Sequence, residues 1–153
     1  MPAGWTVPAA ANSGWSVVSN TASVGTCSLK SNTIADSQKA QIQFAGAFTA
    51  GNITFDRKVS SESGYDCFRF FVDGVQKAVG GTCTESGGLG ASGDVAWGPV
   101  SVAVTAGLHT LMWSYEKDGS VSTGQDSAWI DALLLPLVPK SSIPAIIMHL
   151  LDG

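Results

Sequence analysis

Side chains able to do acid–base or nucleophilic chemistry are few in this chain. There are two histidines, His109 and His149, and three cysteines, Cys27, Cys67 and Cys83. His109 falls mid-strand in phase with Leu111, Trp113 and Tyr115, so it reads as a structural imidazole with satisfied hydrogen bonds, not as a base. No GxSxG elbow, HExxH pair or phosphate-binding loop occurs. A glycosidase needs two carboxylates facing one cleft. Asp126 sits in a loop and Asp131 in a strand, and nothing in the sequence brings them together. Asp66, Asp73, Asp94 and Asp118 stand at strand ends or turns, where Asp serves the backbone. The sequence therefore predicts no enzyme and no catalytic residue.

Two kinds of binding chemistry remain. Calcium takes about six to eight hard oxygens, carbonyls and carboxylates together. Asp118, Asp126 and Asp131 approach and enter the last strand, which makes them the candidate ligands of a structural calcium, the only cofactor expected; turn-capping is the other reading of the same residues. A sugar site needs an aromatic platform with a few polar partners. If Phe68, Phe70 and Val72 face the core, Arg69 and Phe71 face outward. Arg57 is expected to join them across strands, with Trp97 near by, whereas Trp113 and Trp129 read as core. The cysteines lack CxxC spacing. Their odd number fits three small, partly buried thiols; the other reading is a Cys67–Cys83 bond with Cys27 free.

The elements that must carry these side chains are strands. Ile42 and Phe44 alternate with Gln41 and Gln43, and Ile53, Phe55 and Val59 with Thr54, Asp56 and Lys58, the two-residue period of half-buried strands. Arg57 falls on the apolar side of that alternation. Residues 66–79 form a hairpin closed by Asp73-Gly74, a dipeptide suited to tight turns. A loop with six glycines, 80–93, follows. Val100, Val102 and Val104 mark the next strand, Leu111, Trp113 and Tyr115 another, and 128–135 the last, which Pro136 stops. About eight short strands and no helix before residue 140 predict an all-β fold of two packed antiparallel layers.

Composition agrees. The chain of 153 residues is 44% hydrophobic and 13% charged, with 18 glycines, which suits one ordered domain of short strands. Eight basic residues against 12 acidic ones give a net charge of −4, and the basic residues are scattered. Nucleic acid and anionic membranes, which need a basic stripe, are therefore not expected as partners. No apolar run is long enough for a membrane span. The first residues lack the basic and apolar regions of a secretory signal. The organisation expected is an N-terminal arm, 1–14, a sandwich, 15–139, and an apolar C-terminal docking tail, 140–153. In that tail Ile143, Ile146, Ile147, Met148, Leu150 and Leu151 are the assembly residues.

Three stretches carry a resemblance: GNITFDRKVSSESGYDCFRFFVDG at 51–74, SGDVAW at 92–97, and VTAGLHTLMWSYEKDGSVSTGQDSAWIDALLLP at 104–136. In their order they resemble bacterial and phage β-sandwich modules related to carbohydrate-binding and MAM-like jelly rolls. The resemblance implies a jelly roll with a binding or spacing role, appended to secreted hydrolases, proteases, adhesins or virion proteins, often with a structural calcium. It departs at Arg57, where the family often has an aromatic, in the longer 80–93 loop, and in the tail. A fold of this kind hosts many functions. The whole chain reads first as a non-catalytic structural or adhesion protein of a surface assembly, a capsid-decoration or tail component of a virion. It would then form homo-oligomers or dock on a particle, and reside on a virion or extracellular surface. The alternative is a carbohydrate-binding module of a secreted bacterial hydrolase or adhesin, with glycans as partners.

Overall fold

The computed structural model describes residues 2–140; the expected docking residues from Ile143 to Leu151 lie outside the described residues. The described residues form ten strands: β1 (Trp5–Thr6), β2 (Trp15–Val18), β3 (Ser28–Ser31), β4 (Lys39–Phe48), β5 (Gly51–Ser60), β6 (Cys67–Val72), β7 (Val75–Lys77), β8 (Asp94–Val104), β9 (Gly107–Glu116) and β10 (Ser127–Leu134). They pair antiparallel in two five-stranded sheets, ordered β1-β4-β9-β6-β7 and β2-β3-β10-β5-β8. The chain crosses repeatedly between the layers, giving the expected sandwich of jelly-roll type. Among the described residues the only helical element is a 3-10 turn, Thr84–Ser86, and no helix is long and apolar enough to cross a membrane.

The period-two pattern sets the faces. Phe55, Phe68, Phe70, Leu111, Trp113 and Ile130 are buried together, and Val102 packs half-buried against them. Phe70 stands 5.1 Å from the rings of both Phe55 and Trp113. Strand β8 begins at Asp94, earlier than the valine run from Val100 suggests. Its Pro99 is tolerated because β8 is an edge strand. The segment expected as an arm lies on the first sheet, where Trp5 pairs with Phe44 and stacks 5.4 Å from Trp113.

Three expectations are corrected. Trp129 is buried, but not in the core between the sheets. It alternates with Ala128 and Ile130, pairs with Lys30 and Lys58, and lies beneath their ammonium groups at 5.4 and 5.9 Å. The three cysteines are not all thiols: Cys67 and Cys83 are bonded, and Cys27 is free and exposed. Closing a loop of this size stabilises a fold by roughly 3 kcal/mol in the chain-entropy account. Arg57 does not reach the outer face of the first sheet. It stays on the second sheet, on β5 between β10 and β8, where its Nε donates to Val79 O at 2.9 Å and Nη1 to Ala96 O at 3.1 Å. Gly80 is needed beside it: φ is +90° there, and a Cβ would lie 2.5 Å from Nη2.

The β6–β7 hairpin turns on Asp73 and Gly74, with φ of 51° and 77°, as a two-residue turn of this hand requires. Asp73 also reaches strand β9. Its Oδ1 accepts from Thr110 N at 2.8 Å, and its Oδ2 lies 2.6 Å from His109 Nδ1. His109 Nε2 faces Thr105 O at 3.1 Å. Both ring nitrogens thus meet acceptors, and the hydrogen bond to Asp73 raises the imidazole above its ordinary 6.5. The Asp73 carboxyl is lowered by the Thr110 N–H and by His109. A raised histidine stabilises the fold below its unfolded value and loses that contribution as pH rises through the folded one. A lowered carboxylate contributes above its unfolded value and fades as pH falls. The pair is therefore worth most between about pH 4 and 6.5. The Tm difference between the protein and His109→Gln is expected to be largest near pH 5.5 and to shrink by pH 8; a difference that grows with pH refutes the pairing.

Candidate functional site

On the first sheet the residues out of phase with the core make a continuous outer face. Register places Ser114 of β9 between Gln41 of β4 and Arg69 of β6. A polar ladder crosses the three strands there. Gln41 Nε2 donates to Ser114 Oγ at 3.0 Å, Ser114 Oγ donates to Glu116 Oε1 at 2.7 Å, and Arg69 Nη1 pairs with Glu116 Oε2 at 3.3 Å. The neighbouring row is Gln43, Met112, Phe71 and Gln76, matched by the same pairings. Arg69 Nε and Gln76 Nε2 are buried donors without a protein acceptor.

The ladder runs into a polar cavity of about 220 Å³ at the end of β6 and β9, lined by Tyr65, Arg69, Glu85, Glu116, Lys117 and Asp118. Tyr65 is 48% exposed. Glu85 reaches the cavity because the disulfide fastens the glycine-rich loop to the start of β6. Further bonds clamp it: Glu85 N donates to Gly64 O at 3.2 Å, Thr84 Oγ1 to the same carbonyl at 2.7 Å, and Phe68 bridges Ala91. The loop that reads as unanchored in sequence is thus tied down at one wall of the cavity.

A buried ionic cluster forms the rear wall. The Lys117 side chain is 1% exposed and bonds Asp126 directly, Asp36 at 3.2 Å and Ser122 at 2.5 Å, with Asp66 Oδ2 at 3.9 Å. Tyr115 Oη donates to Asp126 Oδ1 at 2.7 Å. Burial opposes the Lys117 charge, but the bonds to Asp126 and Asp36 overcome it, so the net movement is upward. Burial likewise opposes the Asp126 carboxylate, and Lys117 and Tyr115 hold it below its ordinary range. Asp66 goes the other way: burial pushes it up to about 6, against the Asp118 N–H and Lys117.

The residues expected from sequence divide between the two sheets. Arg69 and Phe71 share the outer face described above. Arg57 and Trp97 belong to the second sheet, where Trp97 Nε1 donates to Thr21 Oγ1 at 3.4 Å. Of the expected calcium ligands, Asp126 is the partner of Lys117, and Asp118 lines the cavity. Asp131 is apart from both. Its Oδ2 accepts Ser23 N at 2.7 Å and Val24 N at 2.9 Å, holding the 19–27 loop on the second sheet. The carboxylates that converge are Glu62, Asp66 and Asp118. Sequence reasoning missed Tyr65, Glu85, Glu116, Gln41 and Ser114. For Gln41 a signal exists, its phase opposite Ile42, but its meeting with Ser114 depends on a pairing some 70 residues away.

No protein-family model matches the sequence, and no curated protein matches it. Solved structures do share the fold. The secreted serine protease VesC from Vibrio cholerae superposes on 87% of this chain and 24% of its own, at a TM-score of 0.64 and 14% identity. A structure of carbohydrate-binding modules from the β-sandwich superfamily superposes on 87% of this chain and 57% of its own, at a TM-score of 0.57 and 13% identity. The chain thus spans about a quarter and somewhat over half of those two chains. What the chain shares with both is the fold, a two-layer antiparallel β-sandwich of jelly-roll type.

Proposed function

We propose that this chain is a non-catalytic carbohydrate-binding module whose glycan site is the outer face of the first sheet, from Phe71 through Arg69 and Glu116 to the cavity beside Tyr65. The observation that carries the reading is the half-exposed Arg69–Glu116 pair, braced from behind by the buried Gln41 and Ser114, with Phe71 and Tyr65 on either side of Arg69 in the chain. Sugars need that combination: an apolar ring face for the C–H surface and fixed donors and acceptors for the hydroxyls. The fold shared with carbohydrate-binding modules supports this alternative over a virion component. An extracellular location follows from the same reading. The assembly reading keeps one support, the apolar segment 143–151, which lies outside the described residues.

Charge narrows the ligand. The cavity presents Glu85, Glu116 and Asp118 against Arg69, while the Lys117 ammonium is engaged behind it. An acidic wall repels polyuronates and admits neutral glycans. Affinity electrophoresis in gels containing soluble xylan, β-glucan, galactomannan or polygalacturonate tests both points. Retardation by at least one neutral polymer is expected, weakened about tenfold by Tyr65→Ala or Arg69→Ala, equivalent to about 1.4 kcal/mol, and unchanged by Trp97→Phe on the other sheet. Retardation that survives both cavity substitutions but is lost with Trp97→Phe moves the site to the second sheet and overturns the proposal.

A further inference from the structure

We propose that Glu62, Asp66 and Asp118 form a binding site for one divalent cation, calcium by the chemistry of its donors. Each residue offers a carboxylate oxygen, and the three oxygens lie within 4.8 Å of one another. Glu62 and Asp66 come from the segment joining β5 to β6, and Asp118 stands two residues beyond the end of β9. The arrangement is held before any ion arrives. Asp66 N donates to Glu62 O at 3.3 Å, Asp118 N to Asp66 Oδ1 at 3.0 Å, Ser61 Oγ to Asp66 O at 2.7 Å, and Ser37 N to Asp118 O at 2.6 Å.

Convergent acids alone do not make a site; orphaned oxygens do point to a ligand. Asp66 is fully buried, at 0% exposure, and its Oδ2 has no hydrogen-bond donor. Glu62 Oε2 is also buried without one. Two donorless carboxylate oxygens in one small volume are costly unless a cation sits between them. Lys117 does not fill that role. Its Nζ is 3.9 Å from Asp66 Oδ2, outside hydrogen-bond reach, and its donors go to Asp126, Asp36 and Ser122. One ammonium thus faces the carboxylates of Asp36, Asp66 and Asp126, with those of Glu62 and Asp118 beyond.

An all-oxygen set with no histidine or thiolate disfavours zinc and copper and suits a hard cation. Calcium accepts irregular carboxylate geometry and completes its shell with water, whereas magnesium demands a near-ideal octahedron. Asp118 also lines the polar cavity, which gives the ion and its waters a route from solvent. The site does not depend on the glycan reading, since its ligands are set by loop geometry and its readout needs no sugar.

Calorimetric titration of CaCl2 into the chelator-treated full chain, with MgCl2 in parallel, tests it. Saturable calcium binding with a Kd on the order of 0.1–1 mM is expected, with magnesium weaker. Calcium at about ten times Kd should raise Tm by about 3–6 °C. Asp66→Asn alters a fully buried group, so Glu62→Gln, on a half-exposed side chain, carries the test: it should fold with nearly the same calcium-free Tm and lose at least tenfold in calcium affinity. No saturable heat up to about 10 mM calcium, or a Glu62→Gln protein that binds as tightly as the parent, overturns the proposal.

Discussion

Lys117→Met is expected to lower the unfolding free energy by about 3–5 kcal/mol at neutral pH, because it strips a buried cation from a nest of carboxylates. The ammonium touches Asp126 and Asp36 and lies near Asp66, and its side chain is almost wholly out of water. Removing one partner leaves Asp126 and Asp66 charged or forces them to take up protons, and either course costs stability. Urea unfolding of four proteins measures it: the parent, Lys117→Met, Asp126→Asn and the double variant. The double variant should recover part of the loss, with a coupling energy of about 1–3 kcal/mol. A loss below about 1 kcal/mol for Lys117→Met would mean that this pair behaves like an exposed one.

The same cluster shows where sequence reading stops. Its alternating strands are legible: Ile42 and Phe44 against Gln41 and Gln43, Phe68 and Phe70 against Arg69 and Phe71. Those phases alone put Arg69 and Phe71 on an outward face. Pairing is not legible. That Ser114 lies between Gln41 and Arg69 follows from the strand order β4-β9-β6, which no local pattern encodes. Asp118 and Asp126 end in one cluster with Asp66 because β9 and β6 are neighbours, while Asp131, close in sequence, holds a loop on the opposite sheet.

Arg57 and Trp129 fail for a different reason. Arg57 keeps the inward phase of its strand, but its carbonyl partners, Val79 and Ala96, come from the loop after β7 and from the paired strand β8. A polar residue in an apolar phase signals such a partner without saying which. Trp129 is as buried as a core residue, with Lys30 and Lys58 over its ring on the outside of the second sheet, so its bulk suggests the core while its phase, opposite Ile130, places it outside. Where size and phase disagree, phase decides the face. The cysteines could not be assigned from their count; proximity across the β6 start and the glycine-rich loop decides that Cys67 meets Cys83.

Strand β6 puts the two-faced reading to its sharpest test. Phe70 and Phe71 are adjacent and chemically identical, yet the fold gives them opposite surroundings. Phe70 is fully buried between the rings of Phe55 and Trp113, so Phe70→Ala removes both transfer energy and packing and opens a cavity. A loss of about 3–5 kcal/mol is expected, on the order of 10 °C in Tm for a domain of this size. Phe71, half-buried on the outer face beside Met112 and Gln76, can lose its ring with water taking its place. Phe71→Ala should cost under about 1.5 kcal/mol, and its effect should fall on glycan retardation instead. Denaturant unfolding and affinity electrophoresis on both variants read the two quantities separately. Equal stability losses would mean that β6 does not present the face proposed for the glycan. A Phe71→Ala protein that is stable and still fully retarded would leave the fold intact and confine the site to the cavity beside Tyr65.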